Sequence, residues 1–174
     1  MSILIVYSSV TGNTRLVAER IADALPTPAD IYPVPKAPRP VGYALIVLGF
    51  WVYRGKPDPR MLRYMHTVHR QNVAFFGTLA AWPDSPHAQT VLSHARHALS
   101  DNAIAGEFLC MGKLSQQRFH TYMNPAYADA THPMTPERKA RLLEGQHHPD
   151  AGDLARAADF FQRIALRLIP EKTF

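Results

Sequence analysis

A single cysteine, Cys110, stands in 174 residues. That excludes an internal disulfide, and one thiolate cannot hold an iron–sulfur cluster or a cysteine-rich zinc site. Free cysteine is among the most buried residue types, so Cys110 is read as an inert strand residue. No apolar run approaches the roughly 20 residues of a membrane-spanning helix, and Met1-Ser2 lead into ILIVY without the basic segment and cleavage site of a secretory signal. The expectation is a soluble, cytoplasmic chain with no membrane span. HExxH, GxSxG and paired carboxylates are missing, which leaves hydrolysis little support. Acidic residues are also in deficit, with 19 Lys+Arg against 14 Asp+Glu and a net charge of +5. No dense Lys/Arg cluster interleaved with aromatics accompanies that excess, so nucleic acid is not an expected partner. A basic surface calls instead for an acidic protein or an anionic small molecule.

The chain is 47% hydrophobic, enough at this length for one core, and residues 1–174 are read as a single domain. Short apolar strands alternate with helical patterns. Ser2–Tyr7 (SILIVY) is too uniformly apolar for a strand with one wet face and reads as a central strand covered on both sides. Asn13–Leu25 follows as a helix ended by Pro26, and Asp30–Val34, flanked by prolines, is an edge strand. The stretch VPKAPRPVGY is an irregular cover over one sheet face. Tyr43–Gly49, Asn72–Gly77 and Ile104–Met111 are further strands; Pro59–Arg70, Pro86–Leu99 and Leu154–Leu168 are helices. This alternation implies right-handed crossovers and a parallel sheet between helix layers, with ligands beyond the carboxyl ends of the strands. Lys113–Asp150 does not fit the alternation. It reads as an insertion carrying one short helix, Pro136–Glu144, capped by Thr135.

Between the first strand and first helix lies Ser9-Val10-Thr11-Gly12-Asn13-Thr14. The hydroxyls of Ser9, Thr11 and Thr14 can donate, Gly12 lets the backbone come close, and the helix N-terminus adds free amides with about half a positive charge. Such a turn suits a phosphate dianion. It holds no lysine, unlike a nucleoside-triphosphate P-loop, and no GxGxxG follows the strand, which counts against a Rossmann dinucleotide. GEFLCMGKL imitates a P-loop, but its glycine spacing is wrong and Leu114 stands where Ser or Thr is required.

This hydroxyl-rich loop after an N-terminal apolar strand resembles the phosphate loop of the flavodoxin family. The resemblance implies a three-layer α/β/α sandwich with five parallel strands ordered 2-1-3-4-5. It also implies flavin mononucleotide (FMN), its phosphate on Ser9, Thr11, Gly12, Asn13 and Thr14. GFWVYRGKPD and GTLAAWPDSPHA match in position the two loops that flank the flavin ring, so Phe50, Trp51, Val52, Tyr53, Thr78, Leu79, Ala80 and Trp82 are candidate ring contacts. Trp51, Tyr53 and Trp82 can stack for about 0.5–1.5 kcal/mol each beyond area burial. Three departures stand out: the basic charge where electron-carrier flavodoxins are acidic, the shortened second helix, and the insertion, which should lie near the ring.

The insertion bears on substrate. His120, His132, His147 and His148 with Tyr122, Met123, Tyr127 and Met134 could line a pocket for a flat molecule, and Lys113, Arg118, Arg138, Lys139 and Arg141 could pair with carboxylates. Haem or a linear tetrapyrrole has that description, and His120 and His132 are the candidate haem ligands. GFW, FGTL-x4-DS-x-HA and C-x-GKL are also similar to flavodoxin-like proteins associated with anaerobic haem and bilirubin reduction. The expected function is therefore electron transfer from bound FMN to a partner protein, received from a reductase, or to a flat anionic substrate. The alternatives are a haem-binding protein with secondary flavin and a flavin-dependent quinone or porphyrinogen oxidoreductase. His66/His69 and His94/His97 stand three apart on predicted helices, but without a third ligand they read as exposed.

Overall fold

A computed structural model describes residues 2–127 and 133–169. The chain runs β1 (Ile3–Tyr7), α1 (Asn13–Ala24), β2 (Ala29–Pro33), β3 (Leu45–Tyr53), β4 (Lys56–Pro57), α2 (Pro59–Met65), β5 (Asn72–Leu79), α3 (Pro86–Ala98), β6 (Ala103–Met111), α4 (Gln116–Met123), α5 (Pro136–Glu144) and α6 (Ala151–Leu168). The parallel strands are ordered β2-β1-β3-β5-β6. This is the expected three-layer α/β/α order, with β4 added beside β3.

Both faces of the sheet are covered, which is why its central strands carry no polar alternation. Ile3, Leu4, Ile5 and Val6 of β1 are all fully buried. Ile3 and Ile5 face a core shared with Val17 and Ile21 of α1 and Phe161 and Ile164 of α6. Leu4 and Val6 face the opposite layer, with Met61 and Met65 of α2 and Val91 and Ala95 of α3. The proline-rich connection covers that second layer without an α-helix. Val34, Ala37 and Tyr43 pack on it, and the Tyr64 hydroxyl donates to Pro38 O at 2.8 Å. Cys110 is 1% exposed in β6, and burial pushes its thiol pKa up, in keeping with an inert strand residue. Among the described residues no helix is long and apolar enough to cross a membrane.

Several element boundaries differ from the sequence reading. Gly49 does not end β3, which continues through Phe50, Trp51, Val52 and Tyr53. A Cβ at Gly49 would lie 2.2 Å from the Phe76 ring, so this glycine makes room for an aromatic rather than breaking the strand. Gly77 does the same for Phe50 and Leu109, at 2.5 and 2.7 Å, and β5 runs on to Leu79. Beyond Tyr53, Arg54 (φ 49) and Gly55 (φ 77) form a two-residue turn, and β4 folds back antiparallel with Val52 opposite Pro57. Two positive φ values in such a turn match the twist of a hairpin. The expected loop after β3 is thus a short β-hairpin.

The helix expected to reach Arg70 stops at Met65, so His66 and His69 share no helical face; His69 Nδ1 hydrogen-bonds Asp101 instead, at 3.2 Å. The insertion carries α4 besides α5. At eight residues α4 is short, and none of its residues is buried. Met111, Gly112 and Ala80, at the carboxyl ends of β5 and β6, contact or line a cleft with Leu142 and Gly145, which seats the insertion at that end of the sheet.

Candidate functional site

The strand order reverses at β1, which pairs with β2 on one side and β3 on the other. The loop from Ser8 to Gly12 lies at the carboxyl end of that strand, where doubly wound sheets take ligands. Ser8 N–H still donates to Gly49 O at 2.8 Å; the chain then leaves the sheet, and Gly12 turns it into α1 with φ 92, a conformation that strains any other residue. Gly12 provides no side-chain cap. Each of the other α-helices is capped, by Asp58, Ser85, Ser115, Thr135 or Asp150. The first amides of α1 are left for something else.

The side chains around those amides divide into donors and braces. Ser9 Oγ is buried without a partner, which costs about 1–3 kcal/mol unless a ligand oxygen or water satisfies it. Thr11 is exposed, and its Oγ1 accepts from Asn13 Nδ2 at 3.0 Å, leaving its own hydroxyl hydrogen to donate outward. Asn13 also donates to Lys113 O at 2.8 Å, and Thr14 Oγ1 shares a 2.9 Å hydrogen bond with Thr78 Oγ1. Both are buried, so they fix the loop and offer a ligand mainly their backbone amides.

Among the residues expected to contact a ring, Trp51 and Tyr53 meet edge to face at 5.6 Å, and the Arg54 guanidinium sits 5.3 Å from the Tyr53 centroid. Trp51 Nε1 is a buried donor without a partner, and Trp82 is 43% exposed on the loop after β5. The side chains of Phe50 and Leu79 are fully committed to the core, leaving only backbone to a ligand. Val52 packs on the same core, and Ala80 lies against the insertion.

Several contacts around the loop were not visible in the sequence. Ser8 Oγ donates to Asp58 Oδ1 at 2.8 Å, an acceptor shared with Arg60 N and Met61 N at 3.1 and 3.3 Å. Asp58 N–H in turn donates to Trp51 O at 3.0 Å, so one 1%-exposed carboxylate ties the loop after β1 to the hairpin after β3. Asp58 also caps α2, and nothing in the local sequence announced Ser8 as its other partner. Lys113, expected among substrate-binding cations, has its backbone pressed on Asn13. Gly112 permits this, since a Cβ there would lie 2.9 Å from Asn13 Nδ2. Beside this contact a cavity of 360 Å³ opens against Thr11, Gly12 and Asn13, its other wall including Lys113, Gln146 and His147.

His148 anchors that wall. Its Nδ1 pairs with Asp153 and its Nε2 with Glu144 at 3.2 Å. Burial works against the charged imidazole, but the hydrogen bonds to Asp153 and Glu144 and the nearby negative charge of Asp153 and Asp150 outweigh it and raise the pKa. The ligand atoms of His148, Asp150 and Asp153 lie within 4.8 Å of one another. They are satisfied internally: Asp150 and Asp153 form a capping box, and Arg156 holds the second Asp153 oxygen. The cluster is an ion-paired clamp. His120 is exposed on α4 with its ring 6.1 Å from Phe119, away from the cavity wall; His132 lies outside the described residues. His94 bonds Thr90 O within α3.

Sheet order, an uncapped hydroxyl-flanked helix start at the reversal point and aromatics on the neighbouring loops define a doubly wound α/β protein with an anion-ready cradle. A family model for the flavodoxin domain matches residues 4–162, and the chain belongs to that family. Over 172 residues it is 26% identical to a flavodoxin-like domain-containing protein BilS of Clostridioides difficile (strain CD3), covering 96% of this chain and 98% of the relative. Oxidised flavodoxin 2 of Bacillus cereus superposes with a TM-score of 0.58 at 15% identity, over 96% of this chain and 99% of that one. A flavoprotein from Lactobacillus acidophilus NCFM, solved in complex with FMN, gives 0.51 at 18% identity, over 62% of this chain and 92% of that one.

Proposed function

We propose that this protein binds FMN noncovalently and passes electrons to a redox partner protein or to a flat anionic acceptor such as haem or another tetrapyrrole. The observation that carries the reading is the uncapped start of α1 with the unpartnered Ser9 Oγ beside it, at the reversal point of a flavodoxin-family sheet. Amides of Gly12, Asn13 and Thr14 with the hydroxyls of Ser9 and Thr11 would hold the phosphate. Trp51, Tyr53 and Trp82 would shelter the ring, and backbone at Phe50–Val52 and Thr78–Ala80 would face its edges. Bound there, the flavin supplies reversible electron transfer; the protein orients it and excludes water from one face. The net charge of +5 and the exposure of Trp82, Tyr122 and Tyr127 support an anionic, flat or acidic acceptor.

Reconstitution tests the cofactor. Purified protein mixed with FMN should quench flavin fluorescence and retain yellow colour through desalting, and Ser9→Ala should weaken binding; protein that stays colourless overturns the reading. The acceptor is tested by anaerobic mixing of the reduced flavoprotein with haemin or a linear tetrapyrrole. Rapid reoxidation supports the assignment, and no reoxidation excludes those acceptors.

A further inference from the structure

We infer that the insertion completes the cradle with a cationic wall, in which Lys113 supplies the positive charge the loop lacks and Gln146 and His147 supply further donors to a bound phosphomonoester. The inference rests on the flavin reading for the cofactor's identity, and on the cavity for the wall itself.

The loop from Ser9 to Thr14 is neutral, whereas a phosphomonoester carries close to two negative charges at neutral pH. The 360 Å³ cavity lies directly against three of its residues, Thr11, Gly12 and Asn13. Lys113 enters the opposite wall with its backbone fixed on both sides: its N–H donates to His148 O at 2.7 Å and its carbonyl accepts from Asn13 Nδ2 at 2.8 Å. Such anchoring gives a flexible side chain a fixed origin. Among the described residues the Lys113 ammonium has no ion pair. The other charges on the cavity are already matched, Arg15 by Glu19 at 2.6 Å and His148 by Asp153 and Glu144. Gln146 Nε2 is a buried donor without a partner, in the same wall. Lys113, Gln146 and the start of α1 line a single cavity, and an oxyanion is the ligand class that would satisfy an unmatched cation beside free helix amides and an orphaned side-chain amide.

The test compares dissociation constants for FMN and riboflavin, which lacks the phosphate, in wild type, Lys113→Gln and Lys113→Arg. Lys113 is exposed, so both variants should fold. Lys113→Gln should weaken FMN about tenfold, or about 1.4 kcal/mol, leave riboflavin unchanged, and be largely restored by Arg. Inorganic phosphate should compete with FMN more weakly in the Gln variant. Equal weakening of both flavins, or no weakening of FMN, overturns the inference. If wild type binds neither flavin, the flavin reading falls by itself, and thermal shift with inorganic phosphate decides the wall: a shift lost in Lys113→Gln upholds it, and no shift refutes it.

Discussion

Replacing Asp58 with alanine tests whether the loop after β1 and the hairpin after β3 form one mechanical unit. The change removes the N-cap of α2, which is worth about 0.5–2 kcal/mol, and leaves the 6%-exposed Ser8 hydroxyl without its acceptor, at about 1–3 kcal/mol. Against these stands a gain, because Asp58 Oδ2 is itself buried without a partner and its desolvation is relieved. The net expectation is a loss of about 2–4 kcal/mol by these same terms. Urea unfolding followed by tryptophan fluorescence measures it, with Trp51 reporting locally through its carbonyl contact to Asp58 N–H. Asp58→Asn keeps an acceptor and a capable cap, so it should lose far less. In a double-mutant cycle, Ser8→Ala and Asp58→Ala should be coupled by about 1 kcal/mol or more, since each removes the same bond. Additive losses, or an alanine variant within about 0.5 kcal/mol of wild type, would refute the argument.

Gly77→Ala drives a Cβ to within 2.5 Å of the Phe50 ring and 2.7 Å of Leu109, and should cost about 1–3 kcal/mol of stability in thermal or urea unfolding through overpacking. Gly12→Ala meets nothing within 4 Å but sits at φ 92, so calorimetry should show backbone strain alone, about 1–2 kcal/mol. The folded-state pKa of His148 lies above its ordinary value. Its ion pairs therefore contribute fully below that ordinary value and are lost as pH rises through the folded one. Wild-type melting temperature should accordingly fall more than that of His148→Gln between about pH 6 and 8, and parallel profiles would sink this assignment.

Local sequence decided whatever depends on neighbouring residues. The unbroken apolar run of β1 required cover on both faces, and the proline-flanked β2 had to be an edge. Thr135-Pro136 fixed the start of α5, and a glycine before Asn13-Thr14 left the start of α1 without a side-chain cap. The reach of β3 and β5 was not legible in the same way. Gly49 and Gly77 read as terminators until the sheet set them opposite Phe76 and Phe50 in register, where a missing Cβ is a packing requirement. Distance along the chain hid the rest. Ser8 meets Asp58 and Thr14 meets Thr78 only because crossovers carry separate strands to one end of the sheet. Asn13 meets Lys113 because β6 ends beside the same loop and Gly112 allows its backbone to come close. Periodicity and turn chemistry act over a few residues and so could define a helix start with free amides; which remote side chains brace it, and which residues line the cavity beside it, followed from the order of the strands.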